Sequence, residues 1–136
     1  MDIKKTANLF IDFATKRLAE ISGLILLFLG LALFIALFTY SPEDPNFIFP
    51  KEAKIKNFLG FKGSFVSDLF FQSVGLMAYL ISITFTVTGF NLLKSKEFIL
   101  IIENTFFAVL YCIFGTLFLT HFYTDAFTFY INGNGG

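Results

Sequence analysis

The sequence has no tryptophan, one cysteine and one histidine in 136 residues, and only 15% of its residues are charged. Each scarcity excludes something. A lone thiol, Cys112, cannot form an intrachain disulfide, and its place inside an apolar run makes it a packing residue. A lone imidazole, His121, at the far end of the third apolar run, cannot join that thiol and the scattered acids in a structural zinc site or a Cys/His nucleophile pair. Ten basic residues against ten acidic ones leave no concentrated basic face for nucleic acid. No phosphate-cradling G-x-x-x-x-G-K-[ST] occurs, because the nearest grouping, Gly60-Phe-Lys-Gly63, has the wrong order and spacing. No catalytic residue, metal site or cofactor is therefore expected of this chain. With tryptophan absent, interfacial aromatic anchoring falls to Tyr40, Tyr79, Tyr111, Tyr123 and Tyr130.

What the chain does have is apolar length. It is 56% hydrophobic, with a mean hydropathy of +0.75, outside the range of a soluble domain of this size. Ile21 to Thr39 contains no charge and as a helix would measure about 28 Å, close to the roughly 30 Å hydrocarbon core of a bilayer. The roughly twenty residues before it are too many for a signal-peptide n-region, and no A-x-A-like site follows, so an uncleaved anchor fits better.

The expected fold class is an all-α membrane protein with three antiparallel transmembrane helices behind an N-terminal amphipathic juxtamembrane helix. Residues 1–20 form that juxtamembrane helix, with Leu9, Phe10, Phe13 and Leu18 opposite Lys4, Lys5, Asp12 and Lys16. It reads either as a segment lying on the anionic leaflet or as a plain extension of the first span; the lack of a breaker between Arg17 and Gly23 favours extension. The first span is 21–40, closed by Tyr40-Ser-Pro-Glu-Asp-Pro45, whose prolines and acids can neither continue a helix nor sit in hydrocarbon. The loop 41–67 follows, with Phe47, Ile48, Phe49, Phe58, Leu59 and Phe61 resting on the membrane surface or a neighbouring chain.

The second span is 68–93, with Gly75, Ala78, Ser82 and Thr86 as a small-residue stripe that lets another helix approach closely in lipid. A turn at 94–97 leads to the third span, 98–122. Either the helix enters the membrane at Phe98, or Phe98 to Ile102 lie in the interface and the span is, preferably, Thr105 to Phe122, because Glu103 and Asn104 interrupt the apolar run. The tail 123–136 is a flexible exit, and the chain is expected to be cut rather than finished there.

Six Lys and Arg lie in the N-terminal segment and the 94–97 turn, against four in the first loop and none in the tail. By the positive-inside rule the N-terminus is cytoplasmic and the loop and tail are outside. Glu103 is the one strong intramembrane charge, with Asn91, Lys94 and Lys96 as its nearest possible partners. The alternative function is accordingly a small transporter or channel subunit using Glu103.

Two blocks of sequence point further. Arg17-Leu-Ala-Glu-Ile-Ser-Gly-Leu-Ile-Leu-Leu27 followed by Thr39-Tyr-Ser-Pro-Glu-Asp-Pro-Asn-Phe47, and then Asn57 to Leu80 with its paired glycines, acid, Gln-x-x-Gly and Ala-Tyr-Leu, resemble the N-terminal membrane domain of the FtsK/SpoIIIE DNA translocases. Gly135-Gly136 is similar to the glycine pair that precedes that family's fourth span. The resemblance implies part of a four-helix membrane domain at the septum of the bacterial inner membrane. It also implies that the chain anchors and assembles a cell-division protein whose motor lies elsewhere. ATP and Mg would belong to that motor, and this segment would bind no nucleic acid. Its partners would be the lipid bilayer, further copies through the full-length protein, and other division proteins. The residues expected to make partner or helix contacts are Asp44, Pro45, Gly60, Gly63, Asp68, Gln72 and Gly75.

Overall fold

A computed structural model describes residues 3–45, 54–123 and 135–136. The loop aromatics Phe47, Ile48 and Phe49 and the tail from Thr124 to Asn134 fall outside the described residues.

The longest apolar run of the sequence sits in the longest helix. Helix α1, Ile3–Phe38, runs unbroken through Glu20 and Ile21, because nothing between Arg17 and Gly23 removes a backbone donor. At 1.5 Å per residue it measures about 54 Å, well beyond one hydrocarbon core. The charge-free stretch from Ile21 to Phe38 has the length and composition of a membrane span. From Lys4 to Phe13 every side chain is exposed, and this half projects from the bundle as an amphipathic arm. Helix α1 stops where Thr39 Oγ1 donates back to Ile35 O at 2.8 Å and Pro42 and Pro45 follow.

Helices α2, Gly60–Val74, and α3, Met77–Ser95, occupy the stretch expected to be a single second span. That expectation is corrected at Gly75, whose φ of 56° and ψ of −135° are open to glycine and strongly disfavoured for other residues. Its N–H still bonds Phe71 O at 3.0 Å, and its own carbonyl accepts from Ala78 N at 3.1 Å, so the chain turns without orphaning either group. Gly75 thus leaves the small-residue stripe and becomes a hinge point of the backbone. Ala at this position is expected to lower stability by about 1–3 kcal/mol, read as a lower unfolding temperature in detergent. The helix long and apolar enough to cross a membrane is Met77–Ser95, whereas α2 is too short and too polar.

Lys96, with φ 59° and ψ 27°, closes α3 in the left-handed conformation, its N–H on Leu92 O at 2.9 Å. Two residues later α4, Ile99–Phe122, begins. The helix begins ahead of Glu103 and Asn104, which are tolerated within it although they interrupt the apolar run.

Among the described residues three of the four helices, α1, α3 and α4, are long and apolar enough to span a bilayer. Along α1 and α3 the contacts run in opposite order: Gly23 meets Gly89, Gly30 meets Thr86 and Ser82, and Leu37 meets Tyr79. Along α3 and α4 they do the same, with Met77 against Gly115, Thr84 against Tyr111 and Thr88 against Asn104. The chain is an antiparallel helical bundle in which α3 lies between its neighbours.

The α1–α3 seam is the tightest part. Ala19, Gly23, Gly30, Leu33 and Leu37 of α1 are buried against Ala78, Ser82, Gly89 and Leu92 of α3. A methyl group on Gly30 would lie 2.6 Å from Thr86 N and 2.9 Å from Ser82 O, and one on Gly23 would lie 2.9 Å from Gly89 O. Such backbone-to-backbone approach is how helices associate in lipid, where apolar burial supplies little drive. The polar groups of the seam are satisfied locally: Ser82 Oγ donates to Tyr79 O at 2.7 Å and Thr86 Oγ1 to Ser82 O at 2.9 Å.

Toward the Pro42 end the seam widens into a small core of Leu33, Leu37, Phe71 and Ala78. Phe71 sits between two tyrosine rings, 4.8 Å from Tyr40 and 5.7 Å from Tyr79, in tilted and edge-on geometries that favour aromatic pairs. At the opposite end Glu20 receives Lys96 Nζ at 2.5 Å and Arg17 Nη1 at 2.6 Å. These two cations, Lys96 first, hold the Glu20 carboxyl below the usual carboxylate range, and the ion pair ties α1 to the turn between α3 and α4.

Candidate functional site: a polar cap over the first helix

Most residues expected to make contacts converge on one structure, a cap that folds Ser41–Pro45 and Lys56–Gly63 over the end of α1. Its centre is Asp44, only 5% exposed. One carboxylate oxygen accepts the backbone N–H of Lys56 and the other that of Asn57, each at 2.8 Å. The strand of loop on each side is thereby clipped together through a charge-assisted pair of bonds.

Asn57 carries the clip onto the membrane helix. Its Nδ2 donates to Ala36 O at 2.8 Å, satisfying a carbonyl near the end of α1, while its Oδ1 accepts from Leu59 N at 3.0 Å and so shapes the turn into α2. Thr39 Oγ1 accepts from Phe58 N at 3.2 Å. Pro45 offers its carbonyl to Ser64 Oγ at 3.1 Å, and Ser67 Oγ in turn donates to Ser64 O at 3.1 Å. Outside this buried ring, Glu43 and Lys56 form a solvent-facing ion pair.

The glycines serve the same closure. Gly60 opens α2 with φ 67° and donates to Asn57 O at 2.9 Å. Gly63 lies against Asn57, where a methyl group would stand 2.6 Å from Leu59 Cβ. Asp68 and Gln72 form a second, smaller group two turns along α2: Tyr40 Oη donates to one oxygen of Asp68 at 3.1 Å and Gln72 Nε2 to the other at 2.6 Å. Burial and the neighbouring Asp68 carboxylate push the Tyr40 phenol well above its ordinary value, so it stays a donor throughout the physiological range.

Asp44, Pro45, Gly60 and Gly63 are thus brought together, Asp68 and Gln72 stand beside them, and Gly75 lies further on at the α2–α3 break. Asp44, Pro45, Gly63 and Gly75 are buried, so they shape the surface instead of being the surface. Sequence reasoning missed Asn57, Ser64, Thr39 and the two close-packed glycines of α1, Gly23 and Gly30. An Asn three residues ahead of a glycine, and two glycines seven apart in an apolar helix, were the available signals.

Two of the three partners expected for Glu103, Lys94 and Lys96, are engaged elsewhere. Glu103 is exposed on α4, while Lys96 is taken by Glu20, Lys94 sits over the Phe90 ring at 4.8 Å, and Asn104 donates to Thr88 Oγ1 at 2.9 Å.

Fold and cap together define a multi-pass helical membrane domain whose polar side chains hold a short cap in place over α1. The family whose description is "4TM region of DNA translocase FtsK/SpoIIIE" matches residues 15–136, and the chain belongs to that family. It is 29% identical over 112 residues to a DNA translocase FtsK of Azospirillum brasilense, covering 81% of this chain and 17% of that protein. It is 33% identical over 72 residues to one from Rickettsia typhi, covering 53% and 10% respectively. It is also 31% identical over 105 residues to one from Shewanella oneidensis, covering 76% and 11%. The chain therefore spans only about a tenth to a sixth of the length of these relatives. No solved structure matches it.

Proposed function

We propose that this chain is the membrane anchor and assembly module of a bacterial septal DNA translocase acting in cell division and chromosome segregation. The observation that carries this reading is the division of labour among its polar residues. Buried Asp44, Asn57, Ser64 and Ser67 hold the cap, Thr88 holds α4 to α3, and Ser82 is bonded within α3. That arrangement suits a rigid tether. Anchoring would confine the motor to the inner membrane and raise its local concentration, favouring assembly of several copies through the full-length protein. The distribution of lysine and arginine supports a cytoplasmic N-terminal arm and an outward-facing cap.

On this reading the cap presents Phe58, 78% exposed, and Phe61, 49% exposed, to other division proteins, with Asp44, Pro45, Gly60 and Gly63 setting its shape and Asp68 and Gln72 at its flank. The test is a full-length protein carrying Asp68→Ala and Gln72→Ala together. Reduced septal localisation and reduced self-association are expected in fluorescence imaging and cross-linking. Unchanged values for both would remove these two residues from the contact surface.

A further inference from the structure

We propose that the apolar groove between α1 and α2 holds an acyl chain of an anionic phospholipid, whose headgroup phosphate is met by Lys62 at the cap.

The groove has a volume of about 530 Å³, within the roughly 300–1,000 Å³ usual for ligand sites. Its α1 wall is Leu29, Ala32, Leu33 and Ala36, whose spacings of three, one and three keep them on one helical face for about 10 Å. Val66 and Phe70 of α2 form the facing wall. Phe85 of α3 lies at the Leu29 end, beside the Thr86 that meets Gly30. The trough exists because Ala32 and Ala36 are small where their neighbours along α1 are leucine and phenylalanine.

The two ends of the groove differ. Gly63 lines it and packs against Asn57, whose side chain bonds Ala36 O at 2.8 Å, so this end lies under the cap. Lys62 lines the same end and is the one charged residue on the walls among the described residues. Ala36 is two residues short of the end of α1, which places Lys62 where hydrocarbon gives way to headgroups, with Leu29 about 10 Å deeper. A lysine at that level can lay its apolar stem along the wall and carry its ammonium at the height of the phosphates. One cation above an apolar trough is the complement of an anionic phospholipid.

The local charge also calls for an anion. Lys62 is exposed and makes no ion pair among the described residues. It stands in the first turn of α2, which contains no acid and whose N-cap, Leu59, supplies no side-chain hydrogen bond. The helix dipole disfavours a cation at that position, and a phosphate beside it would offset the repulsion. No aspartate or glutamate lines the groove to oppose one. The groove between α3 and α4 is as apolar but has no charged residue on its walls, so nothing there selects a headgroup.

The test uses the full-length protein in vesicles of equimolar phosphatidylglycerol and phosphatidylcholine, with a diazirine carried in the acyl chain of each lipid in turn. After irradiation, adducts at Ala32, Leu33 and Val66, located by peptide mass spectrometry, are expected to favour phosphatidylglycerol by about two- to fivefold, the factor that a partly exposed ion pair supplies. Adducts at Phe28, 61% exposed on α1 and outside the groove, should show no preference. Lys62→Gln should abolish the preference without reducing the total groove labelling, and Lys62→Arg should retain it. Equal labelling by the two lipids in the groove, or a preference that survives Lys62→Gln, would overturn the proposal. Groove residues labelled by neither lipid while Phe28 is labelled would overturn it too, and would point to a protein segment covering this face. None of these outcomes bears on whether the domain tethers a motor.

Discussion

Gly30→Leu is expected to separate α1 from α3 and to cost the domain most of its tertiary stability. The substitution forces four extra carbons into a space where even one would stand 2.6 Å from Thr86 N. Because Thr86 N and Ser82 O, two of the three nearest obstructing atoms beside Thr86 Oγ1, are backbone, no rotamer change relieves the clash and the helices must move apart. Ordinary overpacking costs about 1–3 kcal/mol, and a backbone clash at the closest point of a membrane seam should reach or exceed the top of that range. Losing the seam also releases the buried hydroxyl of Ser82 and the core around Leu33 and Leu37. Thermal unfolding in detergent checks this, with Leu29→Phe as the control, since Leu29 is 54% exposed and should tolerate the larger ring. Gly89→Leu should reproduce the Gly30→Leu effect from the other helix, because a methyl group there would lie 2.6 Å from Gly23 O.

The second large effect is expected at Asp44. Asp44→Ala removes both acceptors from the N–H groups of Lys56 and Asn57. A buried donor left without a partner costs roughly 1–3 kcal/mol; the Asn57 N–H is buried and that of Lys56 only part-buried, so the cap should lose about 2–4 kcal/mol. The loss should be local. Amide exchange at Lys56, Asn57 and Leu59 should accelerate strongly, while the α1–α3 seam keeps its protection. Asp44→Asn should fall between the two, because one of its two side-chain atoms remains an acceptor. Equal acceleration in the seam and the cap would show that the cap is not a separable unit.

Much of this architecture was legible because hydropathy and helix length are set by the bilayer. The apolar length of α1, the hairpin between α3 and α4 and the proline stop at Tyr40–Pro45 all follow from what hydrocarbon excludes. Gly75 was not legible. Within a helical pattern a glycine can be a packing notch or a backbone turn, and both readings predict the same residue. The notch reading held for Ala78 and Ser82 of the same stripe and failed at Gly75, where a positive φ was needed. Helix α4 likewise begins ahead of Glu103, because a carboxylate marks where hydrocarbon becomes unfavourable and not where helical hydrogen bonding ends.

The cap was legible only as a list of residues. Asp44, Pro45, Gly60 and Gly63 stood out by type, but their joint role depends on Asn57, whose side chain reaches 21 positions back to Ala36. No local pattern announces a contact of that range. The charge-free run that dominates the sequence contributes its specificity through Gly23 and Gly30, the two positions where it has no side chain at all.

The most direct measurement of the central claim compares the full-length protein with a version lacking the whole membrane domain, residues 1–136 together with any further span joined to them. The intact protein should fractionate with the inner membrane and concentrate at the septum, and the shortened one should become soluble and spread through the cytoplasm. A shortened protein that still sediments with membranes and still gathers at the septum would contradict the account.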